Sequence, residues 1–169
     1  VASIDKPKRN TTKLPLPPQR GDVVHMDIIY GAGGSIDCIK YALFLVDRAT
    51  RYKIMLPIRN LKTDVLPNLK KFCSIMGTTP KYLRTDFDHK LIGRHIQQFI
   101  EENDGIIESA PPKLQNQNGV CERNWRTLLK MARNWLASSL LPSNFWWHTV
   151  KRASEMANYI PLKLNNKLS

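Results

Sequence analysis

The sequence predicts an α/β domain: a five-stranded mixed sheet flanked by helices. Three observations lead there. Three strand-like segments follow one another where the folded part begins, one of them the unbroken apolar run Tyr41-Ala-Leu-Phe-Leu-Val46. Helical and strand-like spacings then alternate from Asp64 to Ile107. Two amphipathic helical segments follow.

Residues 1–20 hold Lys6, Lys8, Arg9, Lys13 and Arg20 against a single acid, Asp5, with Pro7, Pro15, Pro17 and Pro18 among them. Prolines remove backbone donors and like charges repel, so this stretch is expected to be an extended basic linker. Folding is expected to start at Gly21. Val23–Ile29 is rich in β-branched residues and stops at Gly31-Ala-Gly-Gly34, which reads as a strand and a turn. Tyr41–Val46 has the continuous apolar character of a strand buried on both faces. Tyr52–Pro57 is a third strand, hairpinned to the second through Asp47–Arg51. From Asp64 to Met76 the apolar residues Val65, Leu66, Leu69, Phe72, Ile75 and Met76 recur at helical spacing, and Gly77 follows as a stop.

Lys81–Thr85 is a short strand, Leu91–Asn103 a helix with Leu91, Ile92, Ile96, Phe99 and Ile100 on one side, and Gly105–Ile107 the fifth strand. A polar loop with two prolines, Ala110-Pro-Pro-Lys-Leu-Gln-Asn-Gln-Asn-Gly119, feeds a long helix over about 118–139. Its stripe is Trp125, Leu128, Leu129, Ala132 and Leu136, with Glu122, Arg126, Lys130 and Arg133 on the opposite face. Pro142 opens a last helix, with Phe145, Trp146, Val150, Ala153, Met156 and Ala157 turned inward. The expected organisation is a linker over 1–20, a core over 21–161 and a tail over 162–169.

Composition narrows the function. Of 169 residues, 26 are Lys or Arg and 14 are Asp or Glu, a net charge of +12, while 42% are hydrophobic, enough for a globular core. So large a positive excess on one domain calls for a polyanion, most simply nucleic acid and less simply an anionic membrane. The longest apolar run is far too short to cross a bilayer, and no signal-peptide core is seen at the start. Cys38, Cys73 and Cys121 are far apart and odd in number, which argues against a disulfide framework or a structural zinc site and fits a reducing compartment. Lacking an initiator Met, the chain is expected to be a piece of a longer polyprotein.

Three acids sit where chemistry would use them. Asp27 interrupts an apolar strand, Asp86 directly follows the Tyr82–Thr85 segment, and Glu122 lies in the first turn of the long helix. An acid at each of the last two positions is commonly a turn residue or a dipole partner, but an Asp in mid-strand is unusual. Together, in a basic domain, they suggest a divalent cation of the oxygen-loving kind, Mg²⁺ or Mn²⁺.

The motifs His25-x-Asp27, Thr85-Asp86 and Gln117-Asn-Gly-Val-Cys-Glu-Arg123, with 35 residues between Asp86 and Glu122, resemble the catalytic core of retroviral and retrotransposon integrases. With Arg126-Thr-Leu-Leu-Lys-Met-Ala-Arg133, Leu141-Pro and Phe145-Trp146, the pattern over roughly residues 20–161 is most similar to the copia-type integrases. One departure is Phe87-Asp88-His89, where the family usually has a pair such as Asn-Gly, and Asp88 is thereby a rival to Asp86.

The resemblance implies a ribonuclease-H-like fold and a metal-dependent polynucleotidyl transferase that joins element DNA to target DNA. Asp27, Asp86 and Glu122 would be catalytic and hold two ions, Mg²⁺ or Mn²⁺, about 3.5–4 Å apart. Lys113, Gln115, Gln117, Asn118, Arg123, Arg126, Lys130 and Arg133 would meet DNA. It also implies a homo-oligomer, no membrane or small-molecule partner, and work in the nucleus after a cytoplasmic particle stage. His25 is open between supporting the metals and being merely exposed; His89, His95 and His148 lack ligand spacing. Two other functions stay open: a decayed copy that binds DNA without catalysis, and a ribonuclease-H-type nuclease, which needs a fourth acid such as Asp88 or Asp47.

Overall fold

A computed structural model describes residues 19–31, 33–85, 93–109, 119–160, 163–164 and 167–168. The elements in chain order are β1 (Val23–Tyr30), β2 (Tyr41–Asp47), β3 (Lys53–Ile58), α1 (Val65–Met76), β4 (Tyr82–Thr85), α2 (Arg94–Glu101), β5 (Ile106–Ser109), α3 (Gly119–Ser138) and α4 (Trp146–Ala157). The 162–169 region adds two two-residue strands, β6 (Lys163–Leu164) and β7 (Lys167–Leu168), paired antiparallel.

The main sheet has the order β3-β2-β1-β4-β5. β1, β2 and β3 form an antiparallel meander, while β4 and β5 join β1 in parallel through helical crossovers, so the sheet is mixed as expected. Side chains alternate across it. Val24 and Met26 of β1, Leu43 and Leu45 of β2, and Leu56 and Ile58 of β3 face one way, against Val65, Leu69 and Phe72 of α1 and Ile96 and Ile100 of α2. Ile29, Ala42, Phe44, Val46 and Met55 face the other way, against Cys121, Leu128 and Ala132 of α3 and Trp146, Trp147, Val150 and Ala153 of α4. The unbroken apolar run of β2 follows directly: Ala42 through Val46 are fully buried between the two helical layers.

Helix ends obey local chemistry. α1 stops where Gly77 adopts φ +73°, and its N–H donates back into the last turn. Asp64 stands at the head of α1, but its carboxylate accepts from the Arg59 and Asn60 N–H groups (2.8 and 2.9 Å) and so closes the preceding turn. α2 starts at Arg94; Leu91 and Ile92, assigned to it from sequence, lie outside the described residues. Before α4 the chain makes a 3₁₀ turn over Ser143–Phe145. Met156, expected inward, is 37% exposed: it lies about a quarter of a turn off the stripe made by Trp146, Val150, Ala153 and Ala157. Among the described residues no helix is long and apolar enough to cross a membrane.

Candidate functional site

The site is built on β1. Asp27 alternates with Met26 and Ile28, so its side chain leaves the sheet on the α3/α4 side, with Phe44 beside it on β2. It is half-buried. Met26, the residue before it, is in parallel register with Thr85, the buried last residue of β4. Asp86 is bonded to Thr85 but lies outside the described residues, as do Asp88, Lys113, Gln115, Gln117 and Asn118.

Glu122 lies in the first turn of α3, next to the fully buried Cys121, which fixes the helix against the sheet. Its side chain is 51% exposed, and Arg126 lies 3.6 Å away, one turn further on. Such a surface pair is worth about 0–1 kcal/mol, so little holds the carboxylate in place. Leu129 and Arg133 follow Glu122 by seven and eleven positions, within about 20° of it around the helix.

That stripe of α3 lies over Asp27. Asp27, Tyr30, Trp125, Leu129, Arg133 and Trp146 are among the residues lining a cavity of about 540 Å³ between the end of β1, α3 and α4. Gly31 makes the cavity's floor possible, since a Cβ there would overlap the Trp146 indole. Arg133 is therefore not on the face opposite the core; like Glu122, it stands at the edge of the buried stripe, where its long side chain reaches the cavity and water together. Arg126 and Lys130 are exposed on the outer side of α3, and Arg123 opens onto a different cavity.

The fold thus brings Asp27 and the Glu122 face of α3 to one side of the sheet. Among the described residues no group of three His, Cys, Asp or Glu side chains is close enough to hold a metal ion. His25 is 1% exposed, which removes the merely exposed alternative; it alternates onto the same side of β1 as Asp27. His148 pairs with Asp37 at 2.9 Å, a contact between α4 and the β1–β2 connection. Asp47 is fully buried, and its carboxylate accepts from Gly21 N–H (2.9 Å), Thr50 N–H (2.8 Å) and Thr50 Oγ1–H (2.6 Å). It is spent on the β2–β3 turn and is not a fourth metal-binding acid. The sequence reading missed Lys53, 4% exposed at the start of β3; a lysine opening a strand of Ile, Met and Leu was the available signal.

No protein-family model matches the chain. It is 28% identical over 149 residues to the retrovirus-related Pol polyprotein from transposon TNT 1-94 of Nicotiana tabacum, covering 83% of this chain and 11% of that protein. Over 134 residues it is 24% identical to the retrovirus-related Pol polyprotein from transposon RE2 of Arabidopsis thaliana, covering 77% of this chain and 9% of the relative. The chain therefore spans about a tenth of the length of these relatives. Among solved structures, the HTLV-2 integrase catalytic core domain in complex with magnesium, in its trimeric form, aligns with a TM-score of 0.64 at 13% identity, over 88% of this chain and 93% of that one. A chain of the simian T-cell lymphotropic virus intasome in complex with the PP2A regulatory subunit B56 gamma aligns with a TM-score of 0.67 at 13% identity, over 84% of this chain and 50% of that one. The chain has the ribonuclease-H-like fold of retroviral integrase catalytic cores, and its sequence relatives are Pol polyproteins of copia-type transposons.

Proposed function

We propose that the chain is the catalytic core of a retrotransposon integrase, a metal-dependent polynucleotidyl transferase that joins a DNA 3′-OH to a target phosphodiester. The observation that carries this reading is the placement of Asp27 on the α3 side of β1, beneath the helix stripe that starts at Glu122, in a fold of the integrase-core type.

The donors suit a hard cation. Asp27 is half-buried at the cavity, and Glu122 is an exposed carboxylate held by one weak ion pair; both offer oxygens alone. Asp86 follows Thr85, whose register with Met26 makes it the third candidate ligand by chain connectivity. Asp27, Asp86 and Glu122 would hold Mg²⁺ or Mn²⁺, which supply Lewis-acid stabilisation of the attacking and leaving oxygens in an in-line displacement. The HTLV-2 core was solved in complex with magnesium, which supports this choice.

The protein's own work is positional. Arg126 and Lys130, exposed along α3, neutralise phosphates of the strand led to Glu122, and Arg133 adds charge at the mouth of the Asp27 cavity. Pulling Arg126 onto a phosphate releases Glu122 from its ion pair. DNA is the proposed partner and the nucleus the proposed place of action. A homo-oligomer is the proposed active form, in keeping with the dimeric and trimeric forms of the HTLV-2 core.

Strand transfer of element-end DNA in Mn²⁺ tests the reading. Asp27→Asn, Asp86→Asn and Glu122→Gln should each lower the rate by about a hundredfold or more. Activity that survives all three overturns it. Absence of Mg²⁺ and Mn²⁺ binding, with DNA affinity intact, would instead identify a binding protein without catalysis.

A further inference from the structure

Lys53 is the only lysine or arginine among the described residues that is buried. Its backbone is fixed from both sides: its N–H donates to Asn158 Oδ1 (3.0 Å), and Asn158 Nδ2 donates to its carbonyl (2.8 Å), which ties the start of β3 to the end of α4. Its ammonium has no ion pair or hydrogen bond with any described residue. The residue is 4% exposed, but its Nζ is not one of the buried polar atoms left without a partner, so the ammonium keeps contact with solvent at the end of a buried stem. Burial first, and nearby Arg51 second, push the amine below the usual lysine value.

Lys53 opens onto a cavity of about 250 Å³ on the side of α3 away from Asp27. Arg123, Thr127, Leu128, Met131 and Ile160 also line it, and no described acid does. The Thr127 hydroxyl donates to the Arg123 carbonyl (3.1 Å), which leaves Lys53 and the exposed Arg123 as the charged donors. A pocket lined by an ammonium and a guanidinium, with no carboxylate among the described residues, is complementary to an oxyanion. Arg123 directly follows Glu122 and begins the exposed basic side of α3 that continues with Arg126 and Lys130. A strand tracking that side would pass the mouth.

We propose that this cavity is a phosphate pocket in which Lys53 and Arg123 hold one backbone phosphate of bound DNA. The phosphate chemistry stands on the cavity alone; its assignment to DNA rests on the functional reading above. Occupation would supply a counter-charge that no described residue gives Lys53, and anchor the strand on the side of α3 away from the Asp27 cavity.

Two measurements on the wild type, Lys53→Met and Arg123→Glu test it. In thermal melting, inorganic phosphate should raise the Tm of the wild type above that in chloride of equal ionic strength, and both substitutions should abolish the rise. In duplex binding against salt, Lys53→Met should flatten the log–log slope by about 0.9, so that the loss of affinity between about 50 and about 200 mM salt is about threefold smaller. Arg123 is exposed, so Arg123→Glu keeps the test valid should Lys53→Met fail to fold. An equal phosphate effect in all three proteins, or none in the wild type, overturns the pocket. A phosphate effect that depends on Lys53, with the DNA slope unchanged, overturns the DNA assignment in favour of a free phosphate. Neither measurement uses strand transfer, so an inactive enzyme would not mimic either failure.

Discussion

The two faces of the sheet are built for different purposes. On the α1/α2 face, β1 contributes Val24 and Met26 to a cluster that is apolar throughout and sealed by Leu69, Phe72 and Ile100. On the α3/α4 face the same strand contributes His25, Asp27 and Ile29, set among tryptophans, and both described cavities flank the helix that covers it. One face spends its area on burial. The other gives some of it up to set a carboxylate, a histidine and a lysine among its apolar side chains, the carboxylate and the lysine each at a cavity. Period-two alternation within a single strand is enough to separate the two tasks.

The largest break in the comparison should come from the sealed face. Phe72→Ala, at a site 1% exposed, is expected to lower stability by about 3–5 kcal/mol in denaturant unfolding, because a cavity opens that its neighbours only partly fill. On the other face the ranking of stability and activity should invert. Glu122→Gln should change unfolding by no more than about 0.5 kcal/mol, since it removes one exposed ion pair, while strand transfer falls as above. Arg126→Ala and Lys130→Ala should each flatten the salt dependence of DNA binding by about 0.9 in log–log slope and leave folding unchanged.

The smallest effect concerns thiols. Burial pushes the Cys73 thiol up to about 11, so it stays protonated and shielded at about pH 8, whereas Cys38 is exposed. A thiol reagent should label Cys38 at once and Cys73 only with unfolding. The sign is that of an acid whose folded value is raised. Its contribution to stability is complete below the unfolded thiol value and is lost as pH rises above it towards about 11. Labelling of native Cys73 as fast as Cys38 would show that the sealed face is not sealed.

Much of this was legible in the residues. The β2 run announced two-sided burial because no polar residue could be tolerated between two helical layers, and Asp27 stood out because the strand around it is otherwise apolar. What was not legible depended on contacts between distant segments. Asp47 looks in sequence like a spare acid near the site, but both of its oxygens accept hydrogen bonds from Gly21 and Thr50 in the β2–β3 turn. Arg133 reads in sequence as opposite the core with Arg126 and Lys130, but it lies one turn beyond Leu129, and that position at the edge of the stripe takes it to the cavity. Lys53 is buried where the end of α4 meets β3, and Asn158, 105 positions away in sequence, binds its backbone there. Met156 was counted inward from its apolarity, whereas its position on the helix leaves it at the rim.

In the proposed function, Asp27, with Asp86 and Glu122, holds the divalent ions of a phosphoryl-transfer site on the α3/α4 face. Crystals soaked in Mn²⁺ and measured at a wavelength where manganese scatters anomalously test it most directly. Anomalous density is expected within coordination distance of the Asp27 and Glu122 carboxylates and should be lost in Asp27→Asn. Density that is absent there, or that persists in Asp27→Asn, would contradict it.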